Sequence, residues 1–254
     1  EEMSESSLDL NWLAYSISET LGDKDWAKKL FEKAETKPEN IRELCDRADS
    51  ISEVLGDKDW ELKVYKKAEE KAQEYSDFYE LADSIFANLG DPQWARELLK
   101  KAEGKAEDCS DLLGVVERLC EKLGEKEWAE RVYKNAEILA QDSNDFCCLS
   151  DSLYQNLKDE EWAKGLYKIA ADKAGESYEF RWLANSLCEK PGNTNWAREL
   201  YKKAEDKADA FYEFCWLADS LRQNLGDVEW ARQVYLKAET RARDPYDFNR
   251  LALL

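Results

Sequence analysis

Apolar and polar positions alternate along the chain with a helical period. In one stretch Phe78, Leu81, Ala82, Ile85 and Leu89 are spaced by 3, 1, 3 and 4 residues, which places them on one stripe of an amphipathic helix. Gly90 then closes a turn, Asp91 is suited to cap the next helix, and Pro92 fits its first position, where a missing N–H costs nothing. A second stripe follows in Trp94, Ala95, Leu98, Leu99, Ala102 and Ala106. Acids such as Glu127 and Glu229 open these second helices. Lysines such as Lys66, Lys67, Lys202 and Lys203 fill their last turns, as the helix dipole favours. The pattern therefore predicts a first helix, a tight turn and a second helix.

That pair repeats. Trp26, Trp60, Trp94, Trp128, Trp162, Trp196 and Trp230 are 34 residues apart every time, and an alanine follows each by eight residues, from Ala34 to Ala238. The surrounding motif, Leu-Gly-Asp-x-x-Trp-Ala-x-x-Leu-Tyr-x-x-Ala, is nearly intact at Leu225 to Ala238. Helices of about 13 residues are marginal alone, so each pair must bury its stripe against its neighbours. Small alanines allow close approach while the tryptophans are expected to be core, filling the space between layers. The expected fold is an all-α, extended α-solenoid of helix-turn-helix repeats. The units fall near 8–37, 40–73, 77–106, 109–140, 144–174, 177–208 and 211–242, with a partial eighth at 246–254.

The chain resembles the tetratricopeptide repeat family over about residues 7–244. Phe78-x-x-Leu81-Ala82-x-x-Ile85 stands where that family has aromatic-x-x-Leu-Gly-x-x-Tyr, and Ala95-x-x-x-Leu99 and Ala197-x-x-x-Tyr201 follow its Ala-x-x-x-Phe. Alanine replaces the usual glycine at Ala82, Ala184 and Ala218, the spacing between the helices is one residue longer, and the closing proline is absent. The resemblance implies a right-handed superhelix whose concave face, lined by the first helices, binds peptides or other proteins.

If the first helices face inward, the residues beside their buried stripe carry the ligand chemistry. One row reads Asn11, Cys45, Tyr79, Leu113, Cys147, Arg181, Cys215, and a second reads Ser18, Ser52, Phe86, Cys120, Tyr154, Cys188, Arg222. A third is acidic, with Asp49, Asp83, Glu117, Asp151 and Asp219, broken by Tyr15 and Asn185. These rows suit a basic peptide held by carboxylates and apolar pockets. A solvated acidic face with thiols filling gaps accounts for them equally. Trp12, Trp182 and Trp216 share one position outside the repeated pattern and are the leading contact candidates, with packing on a neighbouring helix as the alternative. The proposed binding set is Trp12, Tyr79, Asp83, Phe86, Asp151, Tyr154, Arg181, Trp182, Trp216 and Asp219. Some members of the family grip a partner's C-terminal carboxylate, which this acidic row would repel.

Charge and composition narrow the function classes. Against 56 acidic residues stand 37 basic ones, a net charge of −19, which opposes nucleic acid binding. There is no histidine, so imidazole metal sites and His-based triads are excluded. No nucleophile has a base beside it, and no enzyme is expected. Seven cysteines without CxxC spacing read as reduced thiols and point to a cytoplasmic chain. Metal binding by the thiol rows is disfavoured because partners are about 10 Å apart along neighbouring helices. No cofactor is expected. Gly22-Asp23-Lys24-Asp25 is too short for a calcium loop and reads as a cap. No apolar run is long enough to span a membrane.

The sequence opens on a first helix, Leu8 to Leu21, and stops in mid-pattern. The expectation is either a segment of a longer array or end-to-end contact between copies. In the second case Trp12, Tyr15, Phe248, Leu251 and Leu254 are the assembly ends, and the protein is a structural polymer forming filaments or tubes, which would also suit the cell surface.

Overall fold

In the computed structural model, residues 6–251 are described. Among these residues the chain is all-helical, without strands, and its helices come in tandem pairs. It divides into two compact halves, the first ending at Val132 and the second beginning at Tyr133. The first holds α1 (Ser7–Leu21), α2 (Lys24–Ala34), α3 (Ile41–Leu55), α4 (Lys58–Lys71), α5 (Tyr75–Ser84), α6 (Pro92–Lys105) and α7 (Cys109–Arg118). Helix α8 (Lys126–Leu139) carries the boundary. The second holds α9 (Ser143–Asn156), α10 (Glu160–Lys173), α11 (Ser177–Cys188), α12 (Thr194–Lys207), α13 (Phe211–Leu225), α14 (Val228–Glu239) and α15 (Pro245–Leu251). Helices α5 and α7 continue as π-helical turns, Ile85–Leu89 and Leu119–Leu123, which the periodicity did not announce.

The local signals act as the sequence suggests. Asp23, Asp57, Asp91, Asp159 and Asp227 each accept a hydrogen bond from the backbone N–H of the tryptophan three residues on. Before them Gly22, Gly56, Gly90, Gly124 and Gly226 end the first helices with φ between 61° and 69°, a left-handed conformation that glycine adopts without a Cβ penalty. In the fifth repeat Lys158 stands in the glycine's place and still takes φ 60°.

Within each half a first helix packs on its own second helix and on the next first helix: α1 on α2 and α3, α3 on α4 and α5, α9 on α10 and α11, α11 on α12 and α13. The alanines eight residues after the tryptophans are fully buried throughout.

The tryptophans are a correction. They are not uniformly core: Trp128 is buried at 5% exposure, Trp26 is 47% exposed, and the other five are half-buried. Five of the indoles carry a polar tether. Trp60, Trp94, Trp128, Trp162 and Trp230 donate their Nε1–H to Glu35, Glu69, Glu103, Glu137 and Glu205 at 2.7–3.2 Å, each glutamate lying 25 residues upstream in the preceding second helix. At all of these but Trp128 the ring edge meets an aromatic of that same helix, as in Phe31–Trp60 at 6.3 Å and Tyr201–Trp230 at 6.4 Å. These five indoles thus bridge consecutive repeats. The exception is Trp196: Ala171 occupies its glutamate's place, and no hydrogen bond to Trp196 Nε1 is made among the described residues.

Two buried charges break the pattern in the second repeat. Arg47 replaces the leucine or valine of the other repeats and is fully buried, pairing with Glu39. Glu61 replaces the alanine found at Ala27, Ala95, Ala129, Ala163, Ala197 and Ala231. It is also fully buried, and apart from Lys58 Nζ, 2.8 Å from its Oε2, no donor reaches its carboxylate.

Candidate functional site

The acidic row does not stand bare. Tyr65, Tyr167 and Tyr235 on the second helices donate their hydroxyls to Asp49, Asp151 and Asp219, 16 residues upstream in their own repeats; the last bond is 2.5 Å. Tyr201 donates to Asn185 at 2.7 Å in the same way. The next repeat adds donors from above: Asn88 to Tyr65 at 3.4 Å and Asn224 to Tyr201 at 3.1 Å. Burial pushes Asp49 up to about 6, against the lowering by Tyr65.

Asp151 is the most heavily engaged. It accepts from Tyr167, from Ser186 at 2.8 Å and from the buried Lys190, while the Cys147 thiol lies 3.9 Å away. Burial, with Asp151 beside it, lifts Cys147 to about 12, so the thiol stays protonated and inert at neutral pH. Lys190 also stands over the rings of Tyr154 and Tyr167 at 5.7 and 5.6 Å.

Asp83 is held by Arg118, whose Nε reaches both carboxylate oxygens at 2.9 and 3.0 Å, and whose guanidinium lies 4.3 Å from the Tyr79 ring centre. That hydrogen bond keeps Arg118 firmly protonated. A Cβ at Gly114 would run into the Tyr75 hydroxyl, so any larger residue there displaces the tip of that side chain. Asp219 additionally pairs with Arg250 at 3.6 Å, and Phe86 is half-buried beneath Lys122. The row proposed to meet a basic peptide is therefore largely an internal polar ladder between first and second helices.

Other candidates lie outside that ladder. Trp12 is 70% exposed, and Trp182 and Trp216 are 45% and 44% exposed. On α11, Tyr178 packs edge-on against Trp182 at 5.6 Å; on α13, Tyr212 packs against Trp216 at 5.7 Å. The Arg181 guanidinium crosses from α11 to lie 5.8 Å from the Trp216 ring centre. Burial lowers its pKa below the ordinary arginine value. The tyrosine partners were missed in the sequence, although Tyr178, Tyr212 and Tyr246 recur at 34-residue spacing.

Of the assembly-end candidates, Tyr15 is half-buried and donates to Glu53 at 3.2 Å. Phe248 and Leu251 belong to α15, but their side chains lie outside what is described, and Leu254 lies outside the described residues altogether. Cys45, Cys120, Cys147, Cys148, Cys188 and Cys215 are free thiols, and Cys109 is buried. Among the described residues no group of three or more metal-ligating side chains comes together, and no helix is long and apolar enough to cross a membrane.

Compared with models of known protein families and with curated proteins, the chain matches none.

Proposed function

We propose that the chain is a non-enzymatic α-solenoid of tetratricopeptide-like repeats that binds a protein segment along the exposed face of its first helices. The observation that carries this reading is the pair of exposed indoles, Trp182 and Trp216, on consecutive first helices, each with a tyrosine one turn before it. Large aromatics exposed at one repeated position are costly to leave in water and are the usual anchors of recognition surfaces. Because the acidic row is engaged by neighbouring donors, aromatic surface rather than a bare carboxylate face supplies the affinity. The free thiols suit a reducing compartment such as the cytoplasm. An array of immobilised peptides probed with the whole chain tests the reading. Binders should be lost with Trp182→Ala and Trp216→Ala, and an array without any binder sensitive to these changes refutes it.

A second reading, self-assembly, is favoured by the first helix pair, where Leu8, Trp12, Leu13, Leu21 and Trp26 are all exposed. The residues equivalent to Leu13 in the second to seventh repeats, Arg47 to Leu217, are buried. A second copy would cover this face. Sedimentation at rising concentration tests it, and strictly monomeric particles eliminate it.

A further inference from the structure

The joint at Trp196 keeps its donors and has lost its acceptor. At two other joints the glutamate that takes the indole N–H also takes a lysine seven residues beyond the tryptophan. Glu69 accepts from Trp94 Nε1–H at 2.8 Å through Oε2 and from Lys101 Nζ at 2.6 Å through Oε1. Glu205 accepts from Trp230 and Lys237 in the same way, at 2.8 and 2.7 Å. One carboxylate thus spans an indole and an ammonium, with one oxygen to each. Lys203 stands seven residues beyond Trp196, but the residue placed to serve both is Ala171.

The two donors hold the posture they have at the complete joints. Trp196 meets Tyr167 edge-on at 6.4 Å and 90°, as Trp230 meets Tyr201 at 6.4 Å and 89°. Lys203 Nζ lies 5.5 Å from the Phe180 ring centre, as Lys101 Nζ lies 5.7 Å from that of Phe78. Among the described residues no acceptor is bonded to Trp196 Nε1 or to Lys203 Nζ. Between α10 and α12 they border a cavity of about 500 Å³, whose wall includes Ala171. Alanine retains the Cβ of a glutamate. What is missing beyond it is a methylene and a carboxylate, the heavy atoms of acetate, and the cavity has room for a longer acid.

The charges around this cavity admit a carboxylate. Lys164, Lys168 and Lys203 line it, together with Asp172 and Glu199. The Glu69 joint has acids at both of those acidic positions, Glu70 and Glu97, and a third, Asp91, where the cavity has Asn193. It has only Lys66 and Lys101 at the lysine positions, with Leu62 in place of Lys164, and it still holds Glu69 against its two donors. The Trp196 joint therefore offers one cation more and one flanking acid fewer than a joint where a carboxylate is already bound. The negative charge of the whole chain bears on both joints alike.

We infer that the Trp196 joint is a carboxylate-binding site, in which Trp196 Nε1–H and Lys203 Nζ clasp the two oxygens of an acid carried by a small molecule or by a glutamate of another polypeptide. The site lies on second helices, apart from the exposed first-helix aromatics, and does not depend on the segment-binding reading.

The test follows the indole N–H resonances of the isotope-labelled whole chain at neutral pH, with the Trp196 signal assigned by its absence in Trp196→Phe. Sodium acetate is titrated against sodium chloride and sodium sulfate at matched ionic strength. Acetate should shift the Trp196 signal saturably, and the two other salts should not. In Ala171→Glu the missing atoms are supplied from within, so the Trp196 signal should begin at the shifted position and no longer respond to acetate. Lys203→Gln should weaken the response by up to about fivefold, the scale of an exposed ion pair. The blocked peptide acetyl-Gly-Glu-Gly-amide, with its glutamine counterpart as control, separates the sources: binding tighter than acetate assigns the site to a polypeptide glutamate, and binding no tighter assigns it to a small acid. A response to acetate that never saturates, an equal response to chloride or sulfate, or an Ala171→Glu chain that still responds overturns the inference.

Discussion

Replacing Glu61 with alanine should make the protein more stable. Its side chain is fully buried at a position where the six other repeats have alanine, and no donor other than Lys58 reaches its carboxylate. An inadequately compensated buried charge costs about 3–5 kcal/mol. Three effects return part of that. Lys58 Nζ lies 2.8 Å from Glu61 Oε2, but the Lys58 side chain is 63% exposed, so the pair contributes at most about 1 kcal/mol. The carboxylate sits in the first turn of α4, where the helix dipole favours it by about 0.5 kcal/mol. The space left by truncation costs about 1 kcal/mol. The net expectation is a gain of about 1–2 kcal/mol, read as a melting point higher by about 2–8 °C for a chain of this size. Scanning calorimetry of Glu61→Ala measures it. Lys58→Ala, neutral in the alanine background, would attribute the returned part to that pair. A melting point that is unchanged or lower refutes the reasoning, because it means that the carboxylate is well solvated or well bonded where it stands.

Lys158→Gly should stabilise the fifth repeat by about 0.5–1 kcal/mol in the same assay, because φ 60° is strained for lysine and easy for glycine. Ala171→Glu should restore the missing acceptor for Trp196 and add about 0.5–1.5 kcal/mol; no gain would mean that the bond is not what holds the other indoles. Trp128→Ala should cost about 3–5 kcal/mol, whereas Trp26→Ala, starting from an exposed ring, should cost well under half of that, and similar losses would contradict their burial. Asp49 titrates near 6 in the folded chain and near 3.8 unfolded, so the folded state holds its proton more tightly and Asp49 disfavours folding increasingly as pH rises between those values. Partial exposure limits this to about 1–2 kcal/mol. Asp49→Asn should remove that component of the decline in stability from pH 4 to 6, and a carbon-detected titration placing Asp49 near 4 would refute the shift.

The helix pairs were legible because stripes, glycine turns and aspartate caps agree at one period, and a single repeat such as Phe78 to Ala106 contains every signal. The tethers at the indoles were equally periodic, with Glu35, Glu69, Glu103, Glu137 and Glu205 in step with the tryptophans, but a search for apolar faces passes over glutamates. The acidic row read as a ligand surface because sequence displays side-chain type and hides the partner: nothing in Asp151 announces that Tyr167, Ser186 and Lys190 converge on it. Arg47 and Glu61 illustrate the converse signal. Each is the one charged residue in a column of leucine and valine or of alanine, a departure visible in the sequence alone. The exposed strip was half legible, since the tryptophans stood out against the repeat while their tyrosine partners, one turn earlier, did not.

The glutamate–indole tether has a consequence for how such a chain can change its length. A repeat of this kind carries an acceptor in its second helix and, 25 residues on, a matching donor at the head of the following one. Duplicating or excising a segment of 34 residues leaves plug and socket in register at every surviving joint, so gene-level slippage by whole repeats requires no new interface to be invented. Slippage by any other number strands an indole without its acid, as the lone Trp196 foreshadows.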